Sequence, residues 1–129
     1  MTLTEQSRLG TVAAIVGAAL QRHAINAVLT GGACASVHAR GAYLSADMDF
    51  IVVGSTTQAR LDTAMATVGF KRKGDRYVHS RTRFYIEFPR GPLAIGGDHR
   101  LRPLARRTRY GRLLMLSATD SCQIGRAHV

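Results

Sequence analysis

The sequence predicts a mixed α/β domain, and three observations carry that prediction. Apolar residues recur at helical spacing in two segments, Leu9 to Leu20 and Leu61 to Val68. Short β-rich runs end in glycine, at Leu29 before Gly31-Gly32 and at Val53 before Gly54-Ser55. Helical and extended segments also alternate along the chain, the order of a sheet with helices packed on it.

The first helix is expected to open at a capping box formed by Thr2 and Glu5. Leu9, Val12, Ala13, Val16, Ala19 and Leu20 then form one apolar face, ending near Arg22. Ala24 to Leu29 reads as a buried strand, Ala33 to Ala39 as a short helix after the glycines, and Tyr43 to Val53 as a second strand. Thr56 or Thr57 can cap a helix carrying Leu61, Met65 and Val68, with Gly69 as its stop signal. Phe70 to His79 and Arg83 to Phe88 read as a pair of hairpin strands turning near Ser80-Arg81-Thr82. Pro89 and Pro92 end the second of them, because proline cannot sustain a central ladder. After Gly96-Gly97 the chain turns basic and then amphipathic around Leu113, Leu114 and Leu116. No internal repeat is visible.

A chain of 129 residues, 46% hydrophobic and 20% charged, can bury one core and leaves little room for a second domain. The apolar run Val12 to Leu20 is far shorter than the roughly 20 residues that span a bilayer. The first residues lack the layout of a signal peptide, so a cytoplasmic protein with no membrane partner is expected. Cys34 and Cys122 form neither a disulfide framework nor a metal-ligand spacing, and the five histidines show no zinc pattern. The net charge of +10 is uneven: residues 100–129 hold 7 of the 18 basic groups and only 1 of the 8 acids. Arg100, Arg102, Arg106, Arg107, Arg109 and Arg112 concentrate that excess, which suits either a solvated basic surface or a polyanionic partner such as RNA or a nucleotide.

The chemistry concentrates between Leu29 and Phe50. Gly31 and Gly32 lie between a predicted strand and helix, where bare backbone can approach a ligand and free N–H groups favour a phosphate. Asp47 and Asp49 stand at i and i+2 on one strand, so both carboxylates share a face while Met48, Phe50 and Val52 turn to the core. Two such carboxylates repel unless a cation lies between them, and hard oxygen ligands suit Mg²⁺. In Phe84-Tyr-Ile-Glu-Phe88 the apolar residues share one face and Glu87 takes the other. If that strand pairs beside Asp47 and Asp49, Glu87 completes a cage for two metals; Asp75 and Asp98 are the other acids flanking the hairpin. His79, near Glu87 in sequence, and Cys34 read as structural. Tyr43, Tyr77, Tyr85 and Tyr110 can stack on a base, although 6% aromatics and no Trp do not make a stacking-rich module.

Gly31-Gly32 followed by Asp47-Met48-Asp49-Phe50 resembles the signature of the DNA-polymerase-β-like nucleotidyltransferase superfamily, and most closely its small abortive-infection (AbiEii-type) toxin branch. The likeness covers Ala24 to Glu87. It implies a mixed sheet with flanking helices, two Mg²⁺ ions on Asp47 and Asp49, Glu87 in the third acidic position, and a nucleoside triphosphate donor. Gly31 and Gly32 would cradle the triphosphate, with Ser36 and Arg40 as further nucleotide contacts. Family acceptors include tRNA, proteins and small molecules, and the toxin branch adds the expectation of a cognate antitoxin. Ala33 departs from the Ser or Thr common after the glycines, and Lys71 and Lys73 do not match the toxin lysine. These departures favour the alternative, a catalytically degenerate module binding RNA through the arginine-rich segment.

The last six residues, Ile124-Gly-Arg-Ala-His-Val129, match a translation of ATC GGA AGA GCA CAC GTC, the start of a common sequencing adapter. The expectation is a truncated fragment: one incomplete domain over residues 1–122 and a non-native tail over 123–129, its activity in doubt.

Overall fold

The computed structural model describes residues 8–30, 46–89 and 103–116, together with Leu3, Ala33, Cys34 and Val37. The elements are α1 (Leu9–Arg22), β1 (Ala27–Thr30), β2 (Asp47–Val52), α2 (Gln58–Ala66), β3 (Phe70–Lys73), β4 (Arg76–His79), β5 (Tyr85–Glu87), β6 (Leu104–Thr108) and β7 (Gly111–Met115). The strands form one mixed sheet in the order β3-β4-β5-β2-β1-β7-β6. β2 runs parallel to β5 and β1 parallel to β7, while the remaining neighbours are antiparallel. The fold class is therefore the mixed α+β class the sequence predicts.

α1 is more deeply buried than a one-faced amphipathic helix. Every residue from Val12 to Leu20 is buried, because α1 packs on β1 and β7 and also contacts α2. Its small residues allow the close approach. A Cβ added to Gly17 would stand 2.6 Å from Leu113 Cδ1, so the helix rests almost directly on β7. The helix begins at Leu9 with Arg8 as its N-cap and no side-chain cap; Thr2 and Glu5 lie outside the described residues. Gln21 and His23 close its C-terminal end, His23 Nδ1 lying 2.9 Å from the Ala19 carbonyl oxygen. Ala24, with φ +57, then turns the chain into β1, which starts three residues later than the sequence pattern predicts.

α2 forms as predicted, with Thr57 rather than Thr56 as its cap: the Thr57 hydroxyl accepts from the Arg60 backbone N–H at 3.1 Å. Gly69 follows with φ +86, against the His79 ring, which occupies the space a side chain would need. Ala33, Cys34 and Val37 are helical, in the place predicted for a short helix after the glycines. Cys34 is buried, and its Sγ donates to the Leu116 carbonyl at 3.5 Å.

One strand prediction is corrected. Phe70 to His79 is not one strand but a tight hairpin, β3 and β4, turning through Gly74 and Asp75. Gly74 has φ +67 at the first of the two loop positions, the pattern of a type II′ turn. The basic run Lys71-Arg72-Lys73 concealed this turn, since only Phe70 of β3 is buried and no alternation is legible. The amphipathic segment near Leu113, where the pattern specified no element, is a second hairpin, β6 and β7. Leu113 and Met115 face α1, and β7 extends the sheet beyond β1. Gly111 opens β7 at φ +137, where an added Cβ would lie 2.9 Å from the Ala18 Cβ. Gly111→Ala combines left-handed strain with this close contact, and should cost about 1–3 kcal/mol in a urea melt.

The described core gathers Phe50, Met48, Ile86, Leu29, Leu20, Met65, Leu113 and Met115 between the sheet and the two helices. No helix among the described residues is long and apolar enough to cross a membrane.

Candidate metal centre

The two central strands position the acids. Along β2 the burial alternates, with Met48 and Phe50 fully buried and Asp47 and Asp49 half-buried on the opposite face. Phe50 anchors that alternation, its ring centroid 6.2 Å from that of Phe88. A slip of one residue would bury both aspartates, so the core fixes the register.

β5 completes the group. It pairs in parallel with β2, placing Tyr85 level with Asp47, Ile86 with Met48 and Glu87 with Asp49. Ile86 is fully buried, which turns Glu87 to the same face as the aspartates. Carboxylate oxygens of Asp47, Asp49 and Glu87 all lie within 4.8 Å of one another. These three residues can hold a metal ion. Oxygens on opposite sides of one Mg²⁺, each about 2.0–2.1 Å from it, stand about 4.2 Å apart. Small rotations of half-buried side chains close that gap.

Thr30, at the end of β1, is a positioning residue that the sequence pattern did not single out. It is buried, lies opposite Asp49, and its hydroxyl donates to the Asp49 backbone carbonyl at 3.2 Å. This ties β2 to the strand leading into Gly31-Gly32. Tyr85 lies on the acidic face, with the Arg76 guanidinium 4.5 Å from its ring centroid. Gly31, Gly32, Ser36 and Arg40 lie outside the described residues, as do Asp98, Arg100, Arg102 and the tail 123–129.

The opposite face serves stability. His79 packs edge-on against Phe70, 5.0 Å between ring centroids, away from Glu87, and burial holds its pKa below the usual histidine value. Tyr77 is buried; its hydroxyl donates to Asp62 Oδ1 at 2.6 Å and accepts from the Gln58 amide at 2.6 Å. Arg72 Nε donates to the same Asp62 oxygen at 3.1 Å. Burial, then the Asp62 hydrogen bond, pushes the Tyr77 phenol well above its ordinary value. The hydrogen bond from Tyr77, with further help from Gln58 and Arg72, lowers the Asp62 carboxyl. A lowered folded-state pKa contributes stability above the unfolded aspartate value of about 3.9, and that stability is lost as pH falls through the folded value. Asp62→Asn should therefore flatten the fall of melting temperature below about pH 4. Beside this network a cleft of about 600 Å³ opens between the start of α2 and the β3–β4 turn, lined by Thr57, Gln58, Arg72, Gly74 and Phe88 among others. It does not include the three acids.

Neither a family model, a curated protein nor a solved structure matches the chain.

Proposed function

We propose that the chain is a Mg²⁺-dependent nucleotidyltransferase, moving a nucleoside monophosphate from a nucleoside triphosphate to an acceptor hydroxyl. The observation that supports this reading is the parallel pairing of β2 with β5, which sets Glu87 beside Asp49 and gathers three carboxylates on one face. Asp47 and Asp49 would hold two ions between them, and Glu87 would hold the one nearer the acceptor. When bound, magnesium lowers the pKa of the attacking hydroxyl and stabilises the pyrophosphate leaving group. The acceptor oxygen bonds to the α-phosphorus while the P–O bond to the β-phosphate breaks. Pyrophosphate departs with that electron pair, and the hydroxyl proton leaves to solvent at the half-buried carboxylates. Gly31 and Gly32 would cradle the triphosphate, with Ser36 and Arg40 contacting its phosphates.

The family resemblance extends the proposal to a toxin held in check by a cognate antitoxin, with tRNA, a protein or a small molecule as acceptor. Ala33, in place of a phosphate-binding hydroxyl, favours a second reading: a degenerate module binding RNA without catalysis. The two separate on metal. Incubated with α-phosphate-labelled nucleoside triphosphates, Mg²⁺ and cell extract, the enzyme should label one acceptor fraction and release pyrophosphate, and EDTA should abolish both. Failure to bind any Mg²⁺–nucleoside triphosphate, alongside RNA binding indifferent to EDTA, would establish the second reading instead.

A further inference from the structure

The cleft of about 600 Å³ lies apart from the three acids and takes no part in the reaction written above. The sheet separates the two. Val52 and Phe88 line the cleft from the helix side, on the two chain segments whose other face carries Asp49 and Glu87. The start of α2 and the β3–β4 turn form its other walls. Small-molecule sites enclose about 300–1,000 Å³, so the cleft is large enough for one.

Its polar groups are of both signs, and each has hydrogen-bonding capacity to spare. Arg72 commits only Nε to Asp62, at 3.1 Å, and its two terminal nitrogens have no partner among the described residues. The Gln58 and Ala59 backbone N–H groups lie ahead of the bonds that Arg60 and Leu61 make to Thr57, at the positive end of the helix dipole. Thr56 lines the cleft with a hydroxyl oxygen that is buried and has no partner among the described residues, a costly state unless a ligand group reaches it. Asp75, in the β3–β4 turn, supplies the opposite charge and has neither a hydrogen bond nor an ion pair among the described residues. Beside these groups Val52, Leu61, Phe88 and Pro89 give an apolar wall.

The charges select the ligand. Those of Arg72 and Asp62 cancel, which leaves about half a positive charge at the start of α2 against the full negative charge of Asp75. A phosphate dianion would be repelled by Asp75 and Asp62, and a simple cation by Arg72 and the helix end. A zwitterion meets neither obstacle. We infer that the cleft binds a small zwitterion with an apolar body: an α-amino acid such as leucine, or a short peptide of such residues. Its carboxylate takes the Gln58 and Ala59 N–H groups and the open side of the Arg72 guanidinium, whose planar fork matches a carboxylate. Its ammonium takes Asp75, and its side chain lies on Phe88, Pro89 and Val52. The site is independent of the nucleotidyl-transfer reading, because none of the acids of the metal centre lines it.

NMR titration of the isotopically labelled full chain tests this. Leucine should move the amide signals of Gln58, Ala59, Gly74 and Asp75 and saturate with a Kd of about 1 mM or below. Leucyl-leucine, titrated alongside, distinguishes a peptide from a free amino acid by binding the more tightly of the two. Leucinamide, which lacks the carboxylate, and isocaproate, which lacks the ammonium, should each bind at least tenfold more weakly than leucine. Asp75→Asn should weaken leucine about tenfold and strengthen isocaproate, whereas Arg72→Gln should weaken leucine and strengthen leucinamide. Opposite signs within one variant cannot come from a general loss of structure. Asp49→Asn should leave leucine binding unaltered, as should Mg²⁺–ATP. The inference is overturned by the lack of a saturable shift with both leucine and leucyl-leucine, by equal affinity for leucinamide or isocaproate, or by unchanged leucine affinity in Asp75→Asn. Displacement of leucine by Mg²⁺–ATP overturns it too, by assigning the cleft to the nucleotide.

Discussion

Asp49→Asn should abolish the stabilisation that Mg²⁺ gives the folded protein and lower nucleotidyl transfer about a thousandfold. Asp49 sits at the meeting point of β1, β2 and β5, opposite Thr30 and level with Glu87. No other acid of the group has both neighbours. A ligand that binds only the folded state at a hundredfold excess over its Kd stabilises it by about 2.7 kcal/mol. Wild type should gain that amount in a melt with Mg²⁺ and the variant should gain almost none. The kinetic loss corresponds to about 4 kcal/mol, the scale of metal-based charge stabilisation in a transition state. The two effects together separate a ligand from a structural residue. Retained activity with a retained Mg²⁺ shift would remove Asp49 from the centre.

Phe50→Ala should be the most destabilising of the substitutions considered, by about 3–5 kcal/mol, read as a shift of the urea midpoint. Phe50 is fully buried on the reverse side of the strand that carries Asp49. Its ring meets Phe88, which in turn packs edge-on against Tyr77 at 5.5 Å. Truncation opens a cavity where β2, β5 and β4 are joined. A small domain has about 5–15 kcal/mol in total, so this loss approaches the whole margin. Phe50→Leu, which refills much of the volume, should recover most of it. The same pair of variants should order Mg²⁺ affinity, since the aspartates depend on Phe50 for the register of their strand.

Much of the candidate centre was legible in local pattern. Alternation in Asp47-Met-Asp-Phe50 separates the carboxylates from the core without reference to any other strand. The same alternation in Phe84-Tyr-Ile-Glu-Phe88 exposes Glu87. Thr57 and the Leu61–Met65 spacing mark α2, because caps and helical faces are short-range features. The turn at Gly74-Asp75 escaped notice because the flanking strands are basic and mostly exposed, leaving no hydrophobic period to interrupt. β6 and β7 escaped because arginines at 106, 107, 109 and 112 mask a strand pair that buries little more than Leu113 and Met115.

The sequence by itself determined which residues face the core and which carboxylates face away from it, since that depends on a period of two within one strand. Only the tertiary structure decided which strands are neighbours. Asp49 and Glu87 are distant in the chain, and their meeting depends on a parallel pairing that no local rule specifies. Burial of the shared core favours that strand order, because in it α1 covers β1 and β7 while Phe50 and Ile86 face inward.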